Sequence, residues 1–100
     1  MTIAETIKDK LKSALPDLQT RYPIAKLGIF GSITRSDFTD KSDIDIMVEF
    51  NGEIGWEFFD LEDELAKMLG RKVDLVADGA PKPHYLPYIQ KDLIYVWTPA

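Results

Sequence analysis

The chain has 100 residues, 45% of them hydrophobic and 29% charged, with a formal net charge of −5 at pH 7. That length and balance suit one domain around one core, and the acidic charge argues against DNA or RNA as the main partner, because a phosphate backbone calls for a basic surface. Cysteine is absent and His84 is the single histidine, which excludes disulfide scaffolds, thiolate metal sites and cysteine nucleophiles and disfavours a Ser-His-Asp triad. No apolar run approaches the ~20 residues of a membrane span. Glu5, Lys8, Asp9 and Lys10 interrupt any signal-peptide pattern, so the expectation is a soluble cytoplasmic protein.

In chain order, Thr2 and Glu5 form a capping box ahead of Ile3, Ile7, Leu11 and Leu15 at helical spacing. This predicts a helix over 3–13. Pro16 suits the first turn of a second short helix, to about Arg21, and Tyr22-Pro23 ends it. Residues 26–30 read as a short buried strand stopped by Gly31-Ser32, and 33–40 as a polar connection with room for one helical turn. Residues 43–50 alternate and end at the turn pair Asn51-Gly52, which predicts a second strand. Over 55–69, Phe58, Leu61, Leu65 and Met68 fall on one helical face and Glu57, Asp60, Glu64 and Lys67 on the other, with Gly70 as the stop. Residues 72–77 read as a third strand, 84–91 as a short helix that His84 begins, and 93–97 as a last strand. Strands alternating with helices predict an α/β or α+β fold with a single sheet.

Three local features carry chemistry. Asp43 and Asp45 lie two apart at the start of a strand, so both carboxylates point to one face, with Cα atoms roughly 6.6 Å apart. Ile44, Ile46 and Val48 point to the other face. Adjacent like charges are unfavourable unless a cation lies between them, and a hard divalent ion with oxygen ligands, Mg²⁺ or Mn²⁺, suits the pair. The bland alternative is two solvated aspartates. Gly31-Ser32 follows a strand, where glycine lets the backbone approach a ligand and amides with the Ser32 hydroxyl can hold phosphate oxygens; an ordinary turn is the alternative. Asp74 interrupts Val73-Asp74-Leu75-Val76. A carboxylate in an apolar strand is costly unless paired, metal-bound or on an edge facing water. Beside the Asp43–Asp45 strand, it would supply a third carboxylate.

Gly-Ser, ten residues, then Asp-x-Asp arises by chance on the order of 10⁻³ times in a chain this long. The combination resembles the signature of the DNA polymerase β-like nucleotidyltransferases. Within them it is similar to the minimal nucleotidyltransferases, antitoxin partners of HEPN-domain toxins in prokaryotes. Gly31, Ser32, Arg35, Ser42, Asp43, Asp45 and Val48 match the core signature and Asp74 its third acidic position.

The resemblance spans the whole chain and implies a single mixed sheet of about four strands flanked by helices. It also implies two Mg²⁺ ions on Asp43, Asp45 and Asp74, roughly 3.5–4 Å apart, with nucleotide binding by Gly31, Ser32, Arg35 and Ser42. The implied activity is AMP transfer from ATP to a tyrosine of a HEPN RNase toxin, in a hetero-oligomer with that toxin. Alternatives are an antitoxin that neutralises by binding alone, a small-molecule nucleotidyltransferase and a non-enzymatic interaction module. Ser36 stands where the family usually has glycine, so Arg35 has two readings, a phosphate contact or a pin to a nearby carboxylate. With no second domain to bind an acceptor, that surface is expected from another chain. Tyr85, Tyr88, Tyr95 and Trp97, and Trp56 and Phe59 beside Phe58, are candidates for an interface or for core.

Overall fold

The computed structural model describes residues 3–34, 43–77 and 94–96. Helix α1 (Ile3–Arg21) is continuous, which corrects the expectation of two helices over 3–13 and 16–21. Pro16 cannot donate to the carbonyl of Lys12, but both residues are exposed, so water can serve that carbonyl. Meanwhile Ile7, Leu11, Leu15 and Leu18 form one buried stripe through the proline. Burying Leu15 and Leu18 as one surface with Leu11 outweighs one lost hydrogen bond. The helix stops at Arg21, as Tyr22-Pro23 requires, and the Ile24 N–H donates back to the Tyr22 carbonyl at 2.8 Å.

Among the described residues four strands form one mixed sheet: β1 (Ile24–Phe30), β2 (Ile44–Phe50), β3 (Val73–Ala77) and β4 (Ile94–Val96), in the spatial order β3-β2-β1-β4. β1 lies antiparallel to β2 and to β4, while β3 runs parallel to β2. Parallel neighbours need a crossover. Helix α2 (Glu57–Leu69) provides it, so Asn51-Gly52 leads into a crossover and not a hairpin. Gly70 ends α2 in the left-handed region, φ 68°, with its N–H on the Ala66 carbonyl, as its place in the sequence predicts.

Strand parity decides the core. Leu27, Ile29, Ile44, Ile46, Val48, Val73, Leu75 and Val96 share one buried cluster with Ile7, Leu11, Leu15 and Leu18 of α1 and Leu61, Leu65 and Leu69 of α2. Both helices therefore cover the same face of the sheet. The second face carries the alternate residues, paired as Phe30 with Asp45, Lys26 with Glu49, Asp45 with Asp74, and Gly28 with both Met47 and Tyr95.

Polar contacts at two places fix the helices. The Arg21 guanidinium donates to both Glu64 oxygens, at 2.9 and 2.5 Å, and to Asp17 at 2.7 Å, while the Tyr22 hydroxyl donates to Glu64 at 3.0 Å. Arg21 holds the Glu64 carboxyl below the usual glutamate range. Burial, followed by the negative Glu64 partner, pushes the Tyr22 phenol up. On the outer side of β3, the Leu75 N–H points away from β2 and donates to the Glu62 carboxylate at 3.0 Å.

Candidate active site

The candidate site lies where β1 ends and β2 and β3 begin. Phe30, the last residue of β1, is the partner of Asp45, and Asp45 is in register with Asp74 on its other side. Residues in register project to the same face, and neighbouring strands lie about 4.8 Å apart. Asp45 and Asp74 are therefore lateral neighbours on the second face of the sheet. Among the described residues β3 is the outer strand and Asp74 is exposed, and its strand lies beside that of Asp45, the placement on which the third-carboxylate reading depended.

Asp43 immediately precedes β2, with 39% of its side chain exposed and its Oδ2 3.8 Å from Lys72 Nζ. The Ile44 N–H donates to the Lys72 carbonyl at 2.9 Å, which ties the start of β2 to the start of β3. Sequence reasoning did not name Lys72. The available signal was a cation just ahead of the strand that carries Asp74.

Beyond Phe30 the chain enters a 3-10 turn, Gly31–Thr34. Gly31 has φ 77°, and a Cβ at this position would collide with Asp45 Oδ2. Glycine is thus required twice, for the left-handed backbone and for the close approach of that backbone to the carboxylate. The backbone of Ser32 belongs to this turn, while its side chain, Arg35 and Ser42 lie outside the described residues, as do Thr2, His84, Tyr85, Tyr88 and Trp97.

Among the described residues no three acidic or histidine side chains converge closely enough to hold a metal ion. Asp43, Asp45 and Asp74 share one corner of the sheet without closing on a common point, and Asp43 leans on Lys72. The donor set nevertheless fits a hard divalent cation: all oxygen, from Asp43 just ahead of β2 and from neighbouring positions on β2 and β3, and partly exposed to solvent. The aromatics are divided. Phe58 is half-buried against Phe50, whereas Trp56 and Phe59 are 84% and 57% exposed. Tyr95 lies on the second face, its ring 5.4 Å from Lys26 Nζ. No helix among the described residues is long and apolar enough to cross a membrane.

Comparison with known proteins shows the family to which this fold belongs. The nucleotidyltransferase domain model matches residues 10–95. A protein of Methanocaldococcus jannaschii, named provisionally as a protein adenylyltransferase, is 48% identical over 97 residues, 95% of this chain and 98% of the relative. The protein adenylyltransferase MntA of Thermococcus cleftensis is 33% identical over 98 residues, covering 96% and 98% of the two chains. A solved structure described provisionally as a minimal nucleotidyltransferase superposes with TM-score 0.74 at 26% identity, over 94% of this chain and 95% of that one. An MNT antitoxin of Shewanella oneidensis, solved with its tri-AMPylated HEPN toxin, matches in fold with TM-score 0.70 at 20% identity, over 97% and 74% of the chains. The family match over most of the chain, joined to the paired aspartates beside a glycine turn, shows that the chain belongs to the nucleotidyltransferase domain family.

Proposed function

We propose that the chain is a Mg²⁺-dependent protein adenylyltransferase that acts as an antitoxin in the cytoplasm, transferring AMP from ATP to a tyrosine of a HEPN-domain RNase toxin. The observation that carries the reading is the register of Asp45 with Asp74, with Gly31 folded over the Asp45 carboxylate. A protein acceptor is supported by relatives named protein adenylyltransferase at 48% and 33% identity. The HEPN toxin as that acceptor follows from the resemblance to minimal nucleotidyltransferases.

Asp43, Asp45 and Asp74 would hold the divalent cations, which neutralise the triphosphate and make the attacking hydroxyl more acidic when bound. Gly31 lets the 3-10 turn approach the phosphates, and the turn with Ser32 holds the leaving pyrophosphate. Asp74, exposed on the outer strand of the described sheet, accepts the tyrosine proton. The phenolic oxygen forms a bond to the α-phosphorus as the bond from that phosphorus to pyrophosphate breaks. Lys72 balances Asp43 and so limits repulsion among the carboxylates. Catalysis is by positioning and charge neutralisation.

The test is to mix the chain with the HEPN protein encoded beside it, ATP and Mg²⁺, and to weigh the HEPN protein intact. One or more added AMP masses, absent with Asp43→Ala/Asp45→Ala, is the expected result. No added mass with any nucleoside triphosphate, together with neutralisation that survives the double substitution, overturns it in favour of an antitoxin that works by binding alone.

A further inference from the structure

The start of α2 presents an aromatic surface with no function in the chemistry above. Trp56 is 84% and Phe59 57% exposed. Their rings lie 5.9 Å apart, and Phe59 meets the half-buried Phe58 edge-on at 5.5 Å. Phe58 in turn touches Phe50, so the exposed pair rests on the core and is held at a fixed position. A cavity of about 480 Å³ opens beside it, with Arg21, Tyr22, Pro23, Ile54, Trp56 and Glu57 in its wall.

The surroundings are acidic. No Lys or Arg occurs between Lys41 and Lys67. Trp56, Phe59, Asp60 and Asp63 follow one exposed side of α2 at helical spacing, with Glu53 and Glu57 at its start. Nearby cations are already paired, Arg21 with Glu64 and Asp17 and Lys67 with Asp63 at 3.0 Å. Among the described residues no Lys or Arg pairs with Glu53, Glu57 or Asp60.

We propose that Trp56 and Phe59, with this rim, are the docking surface for a basic segment of the acceptor protein, a helix or loop that presents Arg or Lys. The inference rests on the acceptor being a protein, as proposed above. Charge decides the occupant. Nucleic acid and anionic lipid are repelled by the rim, and a second copy of the chain, paired across a two-fold axis, would bring like charges together. A guanidinium over an exposed tryptophan gains from the ring as well as from carboxylates beside it. The surface lies at the far end of β2 from Asp45, roughly 17–20 Å along the strand, and on the helix-covered side of the sheet, opposite the face that carries Asp45 and Asp74. A partner held there, with a footprint of about 800 Å², therefore reaches the carboxylates with a segment that passes around the edge of the sheet.

The experiment uses the full chain in a Trp97→Phe background, which leaves Trp56 as the sole tryptophan, titrated with the adjacent-gene HEPN protein. Dissociation constants are measured at low and high salt, and AMP transfer is weighed at saturating partner. Trp56 emission should shift to the blue on binding. Trp56→Ala/Phe59→Ala should weaken binding by about tenfold or more. Glu53→Lys/Asp60→Lys should weaken it less and flatten its salt dependence. Both pairs are exposed, so an unchanged melting temperature serves as the folding control. Unchanged affinity without a blue shift overturns the docking surface, and AMP transfer persisting in that case leaves the transferase reading intact. Binding with a blue shift and Trp56 dependence but no added AMP supports the docking surface and sinks the transferase reading. Absence of binding by the unsubstituted surface overturns the docking proposal outright.

Discussion

Ile44, Ile46 and Val48 leave β2 on one face and are fully buried, while Asp45 and Glu49 leave the same strand on the other face and reach solvent. The first set meets leucines of α1 and α2. The second meets Asp74 and Lys26 on the neighbouring strands. One seven-residue strand thus holds the core together and carries the candidate chemistry, and alternation keeps the two roles on opposite sides. Substitutions on the two faces should therefore separate stability from activity.

The largest effect is expected at Asp45. Asp45→Asn should lower AMP transfer, followed by intact mass, on the order of 10³-fold or more. Its melting temperature should hold within about 5 °C, because asparagine keeps the shape of aspartate at this solvent-reaching position. A fall of more than about 5 °C would break the division between faces.

Ile46→Ala is the converse. Denaturant unfolding should show a loss of about 2–5 kcal/mol from the cavity left in the core, with activity per folded molecule retained. Gly31→Ala sharpens the comparison, because that residue touches the site through its backbone. It should lose about 1–3 kcal/mol to a strained φ and about 10²-fold in rate as Asp45 is displaced.

Glu64→Gln should produce the smallest change, about 2–4 °C in melting temperature at neutral pH, since the Arg21 pair is largely exposed. Its folded-state proton affinity lies below the ordinary value of 4.5. The contribution is therefore complete above that pH and is lost as pH falls through the lower, folded value. A variant whose deficit persists in strong acid would contradict the assignment to charge.

The elements with clear periodicity were legible: α2 with its Gly70 stop and β2 with its two faces. Pro16 misled because its local preference is to open a helix, whereas the stripe from Leu11 to Leu18 is buried as one surface, a tertiary fact. Lys72 was overlooked because a lysine ahead of a strand acquires meaning only once Ile44 is tied to its carbonyl and Asp43 arrives beside it. Sequence placed Phe58 on the apolar face of α2 and could only pose the question of Trp56 and Phe59 beside it; packing showed that both are exposed. The third carboxylate was readable as a residue type. Its lateral place beside Asp45 required the register.

The Glu62 carboxylate on the Leu75 N–H has a consequence for assembly. A bare edge strand is a template on which a foreign strand can add, and the usual guards are charge and occupied backbone groups. Glu62 supplies both at β3, the outer strand among the described residues, so adding a strand there would mean expelling an anion from the Leu75 amide. Strand-swapped or fibrillar neighbours are thus disfavoured on the flank beside Asp74, and an acceptor arriving there is favoured to approach by its side chains.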